Sequence, residues 1–339
     1  MAPFSFYGRW GAHAPCLRAK SFMIACDTFD EDEVMIGGLL KQLFPALGRF
    51  VWYHTQRIFR RAKPAAAAAP ETDARIDTSV TEIGLDPKYE QPVEWPSYRR
   101  DDVPPQEILS DPLYQLWAKT DHGHKWTQYF AIYEAVFGSR RTQPLRILEI
   151  GVLHGSSLRL WKQYFTHPET VIVGIDIEPQ CIQFDAPAEG IRVRIGSQAD
   201  AGFLKGVVEE FGPFDLIIDD GSHQSSHMIA SFNHLYSEGL KDTGIYLVED
   251  LHASYWRPWR DSRRSFLDLC KELLELMHAH YREAPPAAFM IIKPSDQPMA
   301  ALEVPLITTM IKEIRFFDSI VAIYKTRRAY IPYYLRMGE

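Results

Sequence analysis

Two adjacent pairs of carboxylates stand late in the chain, Asp219-Asp220 and Glu249-Asp250, and each pair closes an apolar run. If those runs are neighbouring parallel strands, about 4.8 Å apart, four acidic side chains crowd one small mouth. Unpaired like charges at that spacing are costly, and a divalent cation relieves the repulsion. A shell of oxygens points to Mg²⁺ or another hard cation rather than zinc. His223 follows Asp220 by three residues and can face the same mouth as a general base. The plain alternative is a helix cap at Asp219 and a structural hydrogen-bond donor at His223. His223 and His227 have the spacing of a zinc protease helix, but Gln224, Ser225 and Ser226 lie between them, so the required Glu is absent. A two-histidine, one-carboxylate iron site from Asp220, His223 and His252 leaves the earlier part of the chain unexplained.

That earlier part carries a second set of polar residues. The run Leu148-Glu149-Ile150-Gly151-Val152-Leu153-His154-Gly155-Ser156 reads as a strand entering a glycine turn and then a helix. A dinucleotide fingerprint would want Gly where Leu153 stands. Glu149 would repel a pyrophosphate but suits a cationic cofactor without phosphate, and S-adenosylmethionine (SAM) is of that kind. Asp176 ends the next strand, Val173-Gly174-Ile175-Asp176-Ile177, where a carboxylate can accept from both ribose hydroxyls. Gly196-Ser197-Gln198-Ala199-Asp200 follows a third strand, with polar groups placed to meet an adenine.

The elements that must position these residues alternate. Helices are expected over 108–116, 125–137, 156–165, 204–211, 227–240 and 265–280. Strands are expected over 146–150, 171–175, 192–195, 214–218 and 244–248, and a closing pair over 312–317 and 320–325 turns at Asp318-Ser319. Strand–helix alternation means an α/β fold: a doubly wound, mostly parallel sheet with helices on both faces and an antiparallel hairpin at one end. Ligands in such sheets bind beyond the carboxyl ends of the strands, which is where both sets fall.

The sequence resembles the class I SAM-dependent methyltransferases over roughly Asp111 to Lys325. Within them it resembles the metal-dependent sugar O-methyltransferases of macrolide biosynthesis, the mycinamicin and macrocin methyltransferase group. The segments that carry the likeness are Lys119-Thr120-Asp121-His122-Gly123-His124, Leu148-Glu149-Ile150-Gly151, Ile218-Asp219-Asp220-Gly221-Ser222-His223, Val248-Glu249-Asp250-Leu251 and Phe317-Asp318-Ser319-Ile320-Val321. The resemblance implies Mg²⁺ on Asp220, Glu249 and Asp250, with His223 as base. It implies SAM along Glu149, Gly151, Gly155, Ser156, Asp176, Ile177, Ser197, Gln198 and Asp219. The implied reaction is methyl transfer to a hydroxyl, of a sugar in a glycoside or polysaccharide. Catechol or polyketide acceptors, and a non-catalytic membrane-associated protein of the same fold, are the alternatives. Two departures stand out. Ser197 replaces an acidic residue of the family loop, and Asp121-His122-Gly123 replaces Asp-Lys-Gly. The aromatic and basic stretch 252–264 reads either as an acceptor wall or as a surface loop packing its own tryptophans.

The chain has 339 residues, 46% hydrophobic and 24% charged, ordinary values for a globular protein. A net charge of −7 argues against a general nucleic-acid binder. Cys16, Cys26, Cys181 and Cys270 lack CxxC spacing, so a reducing, cytoplasmic compartment is expected. The average charge conceals the segment 35–63, which has no acidic residue and six basic ones among large apolar side chains. It reads as a basic amphipathic helix, suited to the chain's own body, a second subunit, or peripheral contact with an anionic membrane. Lys41, Pro45 and Arg49 interrupt it, so it does not span one. Residues 1–34 show no clean secretory signal, and Met35 offers an alternative start. The expected organisation is an extension over 1–63, a linker over 64–105, the catalytic domain over 106–330 and a tail over 331–339. A homo-oligomer stays open.

Overall fold

In the computed structural model, residues 86, 89–95, 103–284, 290–291 and 301–335 are described. The chain divides into two units, Met1–Glu90 and Gln91–Glu339, and the account below concerns the second. The basic helix expected within 35–63, the rest of the extension and most of the linker lie outside the described residues. Among the described residues no helix is long and apolar enough to cross a membrane.

Short apolar runs form the strands β1 (Arg146–Ile150), β2 (Val171–Asp176), β3 (Ile191–Ile195), β4 (Phe214–Asp219) and β5 (Leu240–Val248), followed by the hairpin β6 (Ile311–Phe316) and β7 (Val321–Lys325). They make one sheet in the order β3-β2-β1-β4-β5-β7-β6. The first five are parallel, and β7 pairs antiparallel with both β5 and β6. This is the doubly wound, mostly parallel sheet with an antiparallel hairpin at one end that the alternation of elements predicts. A small extra pairing joins Met290–Ile291 to Tyr334–Leu335.

Side chains on a strand alternate between faces, and the core divides accordingly. Ile147, Ile172, Leu216, Ile218, Ile245 and Leu247 belong to one apolar cluster, with Tyr129, Tyr133, Leu158 and Trp161. Leu148, Val173, Ile217, Tyr246 and Val248 belong to the other, with Leu204, Phe232 and Phe266. The helices of the first face are α1 (Gln106–Leu109), α2 (Pro112–Trp117), α3 (Tyr129–Phe137) and α4 (Ser156–Tyr164). Those of the second are α5 (Ala201–Phe211), α6 (Ser225–His234), α7 (Phe266–Met277) and the short α8 (Ala279–Glu283).

Five expected helices differ in detail: the one over 204–211 begins at Ala201, the one over 265–280 breaks at His278 into α7 and α8, and three more change as follows. The one over 108–116 is two helices, because the Asp111 side chain caps α2 through Leu113 N–H and Tyr114 N–H, and Pro112 occupies the first turn. That combination starts a helix rather than continuing one. The one over 227–240 begins earlier, at Ser225, and gives way to a wide turn over Leu235–Gly239 before β5. The one over 125–137 begins only at Tyr129. Lys125 is tied to groups at the ends of β4 and β5.

Candidate active site at the strand ends

The sheet order reverses between β1 and β4, and the crevice beyond their carboxyl ends is the site such sheets offer. On the β1 side, Gly151 has φ +99°, and a Cβ there would lie 2.1 Å from the Asp220 carbonyl oxygen. Only glycine allows the β1 loop to cross the β4 loop so closely. Gly155 has φ +69° and precedes α4. Ser156 opens that helix, and its hydroxyl donates to the Asp121 carbonyl. The Asp176 carboxylate is held by three backbone amides: Val152 at 2.9 Å, Leu153 at 3.1 Å and Glu178 at 2.9 Å. Ile177 beside it is 49% exposed, an apolar surface at the edge of the crevice. The Ser197 hydroxyl accepts from Ala199 N–H at 3.2 Å, a local turn that fixes the β3 loop.

Glu149 is fully buried. One oxygen accepts from Trp161 Nε1 at 3.0 Å, and the other has no hydrogen-bond partner. Burial pushes its carboxyl up to about 7, against the opposing pull of Lys125 and Trp161.

On the β4 and β5 side the four carboxylates divide: parity sets Asp219 apart from Asp220 and Glu249, and Asp250, beyond the end of β5 with φ +56°, turns back to join the latter two. Asp219 lies on the same face as Ile217. It is 1% exposed and accepts from Ser231 Oγ at 2.8 Å, Gln198 Nε2 at 3.1 Å and Tyr246 OH at 3.2 Å. Burial raises its carboxyl above the usual range. Gln198 spends its other end on Ser222 N–H at 2.8 Å. The geometry makes Asp219 and Gln198 buried struts beneath the crevice.

Asp220, Glu249 and Asp250 meet residues of the opposite face. Asp220 Oδ1, His223 Nε2 and Asp250 Oδ2 converge: His223 Nε2 stands 3.9 Å from the first and 3.4 Å from the second. One ligand atom from each lies within 4.8 Å of the others, a spacing that can hold a metal ion. His223 and Asp250 both take positive φ, +55° and +56°. That is an uncommon backbone state for such residues and one that clusters where side chains are aimed at a function.

Glu249 sits apart from that trio and is 1% exposed. Tyr133 OH donates to its Oε1 at 2.7 Å, and Lys125 Nζ donates to its Oε2 at 2.6 Å. The same ammonium reaches Asp220 Oδ2 at 2.6 Å. Burial and then the Asp220 charge raise the Glu249 carboxyl. Burial opposes the Lys125 charge, but Asp220 and Glu249 outweigh it and hold the ammonium well above its usual value. Tyr129 OH donates to Asp250 Oδ1 at 2.6 Å, and the Ser319 hydroxyl lies 3.1 Å from the same phenol oxygen, so the hairpin turn also reaches the site.

Lys125, Tyr129, Tyr133 and Ser319 were not singled out from the sequence. Tyr129 and Tyr133 read there as an apolar helix face. The available signal was two hydroxyls four residues apart, which point the same way on a helix.

An aromatic row borders the mouth. Trp126 and His252 meet edge to face at 5.2 Å, His252 and Trp256 at 4.5 Å, and Trp256 and Trp259 lie 5.5 Å apart. Trp126 and Trp256 remain about half exposed.

No family model matches the chain. It is 36% identical over 184 residues to the 8-demethyl-8-(2-methoxy-alpha-L-rhamnosyl)-tetracenomycin-C 3'-O-methyltransferase of Streptomyces olivaceus, covering 50% of this chain and 46% of that protein. It is 38% identical over 133 residues to the mycinamicin VI 2''-O-methyltransferase of Micromonospora griseorubida, covering 37% of this chain and 31% of that one. The chain thus spans half or less of the length of the curated relatives it matches. Among solved structures it is similar to MycE methyltransferase from the mycinamycin biosynthetic pathway in complex with Mg, SAH and mycinamycin VI. The TM-score is 0.51 at 27% identity, over 67% of this chain and 56% of that one. The described domain therefore has the class I methyltransferase fold and resembles the sugar O-methyltransferases of macrolide and tetracenomycin biosynthesis.

Proposed function

We propose that this chain is a SAM- and Mg²⁺-dependent O-methyltransferase acting on a sugar hydroxyl of a small-molecule glycoside. The observation that carries the reading is the convergence of Asp220, His223 and Asp250 beside the Gly151 loop, which itself touches Asp220. The residues suit both groups. Glu149 has an unpartnered buried oxygen at the end of β1, apt for a cationic donor. Asp176 is only partly buried at the end of β2, a position apt for ribose. Gly151, Gly155, Ser156, Ile177 and Ser197 line the same edge. Asp220 and Asp250 are the oxygen ligands a hard cation prefers, with Glu249 as a third. His223 belongs to the same convergent group and is assigned as base rather than ligand, because a hard cation favours oxygen over imidazole.

When bound, SAM supplies an electrophilic methyl group and Mg²⁺ supplies charge that favours the ionised hydroxyl. His223 accepts the hydroxyl proton at Nε2. The Asp250 carboxylate, 3.4 Å away, stabilises the imidazolium that results. Tyr129 fixes Asp250 through its hydroxyl. The exposed faces of Trp126 and Trp256 offer flat apolar surfaces for a sugar ring. The described cysteines, Cys181 and Cys270, are buried free thiols.

The test is methyl transfer from labelled SAM to rhamnosylated polyketide glycosides and to their aglycones, with and without EDTA, alongside calorimetric titration of SAM. Metal-dependent labelling of the sugar supports the reading. Labelling of the aglycone alone overturns the sugar acceptor. Absence of SAM binding overturns the enzyme.

A further inference from the structure

Lys125 brings to this mouth a positive charge of its own, where a metal ion would bring another. Its ammonium stands 2.6 Å from Asp220 Oδ2 and 2.6 Å from Glu249 Oε2, with the lysine side chain 8% exposed. Lysine is seldom buried to this degree unless paired. Here it is paired twice, with two of the three carboxylates assigned to the cation, and it also lies 5.9 Å from the centre of the Tyr133 ring. Both oxygens of Glu249 are therefore engaged, one by Tyr133 and one by Lys125. Mg²⁺ binds oxygen at about 2.1 Å, so a metal ion on Glu249 Oε2 would press against the ammonium already on that atom.

The two cation positions share one residue. Asp220 turns Oδ2 toward Lys125 and Oδ1 toward His223. The ammonium occupies one side of the mouth, while Asp220, His223 and Asp250 converge on the other. Lys125 also lies in a stretch without helix or strand, residues 118–128. Swinging its side chain away breaks no regular backbone hydrogen bonding.

We propose that Lys125 is an internal counter-cation: its single charge pairs with both Asp220 and Glu249 in the metal-free protein, competes with the divalent ion, and leaves Glu249 when that ion binds. The inference rests on the reading that the mouth binds Mg²⁺. It explains how buried carboxylates stay paired before the metal arrives, since a buried charge without a partner is strongly unfavourable. It also makes metal affinity a balance between two cations rather than a property of the carboxylates alone.

The test is calorimetric titration of the full chain with MgCl₂, for wild type, Lys125→Met, Lys125→Gln and Lys125→Arg, with thermal unfolding of each in EDTA and in Mg²⁺. Removing the charge in Lys125→Met or Lys125→Gln is expected to tighten Mg²⁺ binding about tenfold or more. It is also expected to lower the unfolding temperature in EDTA and to enlarge the rise that Mg²⁺ produces. Lys125→Arg, which keeps the charge, is expected to bind no more tightly than wild type. Equal or weaker binding by the neutral variants overturns the proposal. A crystal structure of the wild-type protein with Mg²⁺ tests it without any variant: Nζ still on Glu249 Oε2 overturns it, and Nζ withdrawn supports it. If wild type and every variant fail to bind Mg²⁺ while still binding SAM, the metal reading itself fails, and this inference with it.

Discussion

At the ends of β1 and β2 the polar partners are backbone amides from nearby in the sequence. Asp176 is held by Val152 and Leu153, 24 and 23 residues away, and by Glu178 next to it. At the ends of β4 and β5 the partners are side chains from far along the chain. Lys125 reaches across 95 and 124 residues, Tyr129 across 121 and Tyr133 across 116. The first half is a cradle of backbone dipoles around Asp176, beside the buried carboxyl of Glu149 on Trp161. The second is a charged cluster whose acids are balanced by an ammonium and two phenols. Dipoles fixed by a turn change little when a ligand binds. A cluster of mobile charges must be rearranged, and this is the part of the site that a metal ion would reorganise.

The contrast can be broken most severely at His223. His223→Ala is expected to lower methyl transfer by about 10²–10⁴-fold, the usual worth of a positioned base, while SAM binding in calorimetry is retained. Comparable loss of SAM affinity would show that the two halves are one unit. Gly151→Ala strikes the place where they touch. The φ of +99° and the 2.1 Å approach to the Asp220 carbonyl predict a loss of about 2–4 kcal/mol in chemical denaturation, with damage to both ligand sites.

Tyr133→Phe acts on the charged half alone. It strips Glu249 Oε1 of its donor and is expected to cost about 1–3 kcal/mol, the penalty for a buried acceptor left unpaired. SAM affinity should be unmoved. The smallest effect is a pH slope. Because burial lifts the Glu149 carboxyl from 4.5 to about 7, the folded protein holds this proton more tightly than the unfolded chain. Its contribution is present below pH 4.5 and is lost as pH rises toward 7. Glu149→Gln should flatten that part of the decline in unfolding temperature with pH. An unchanged slope would place the titration elsewhere.

The legibility of the two halves follows the same division. The glycines of the β1 loop, Asp176 at the end of β2 and the Ser197 turn stand where the sequence places them, because each lies within a few residues of a strand end. The pairs Asp219-Asp220 and Glu249-Asp250 were also readable as a cluster. Strand parity accounts for part of the division, since Asp219 shares a face with Ile217 and Glu249 the opposite face with Leu247, while Asp250 is turned by its left-handed backbone. Lys125 was not readable. It looked like the first residue of a helix, yet α3 starts four residues later and the lysine is drawn to acids more than ninety residues distant. Nothing in a local window encodes a partner at that separation.

The sequence by itself determined the alternation of elements, the sheet they build and the strand ends at which polar side chains gather, because hydrophobic periodicity and turn chemistry are local. Only the tertiary structure decided which carboxylates are paired, by what and how deeply. Long-range packing set that pairing: the face of α3 brought Tyr129 and Tyr133 over β5, and the loop before it brought in the ammonium of Lys125. Burial then raised the cost of leaving any of these charges alone.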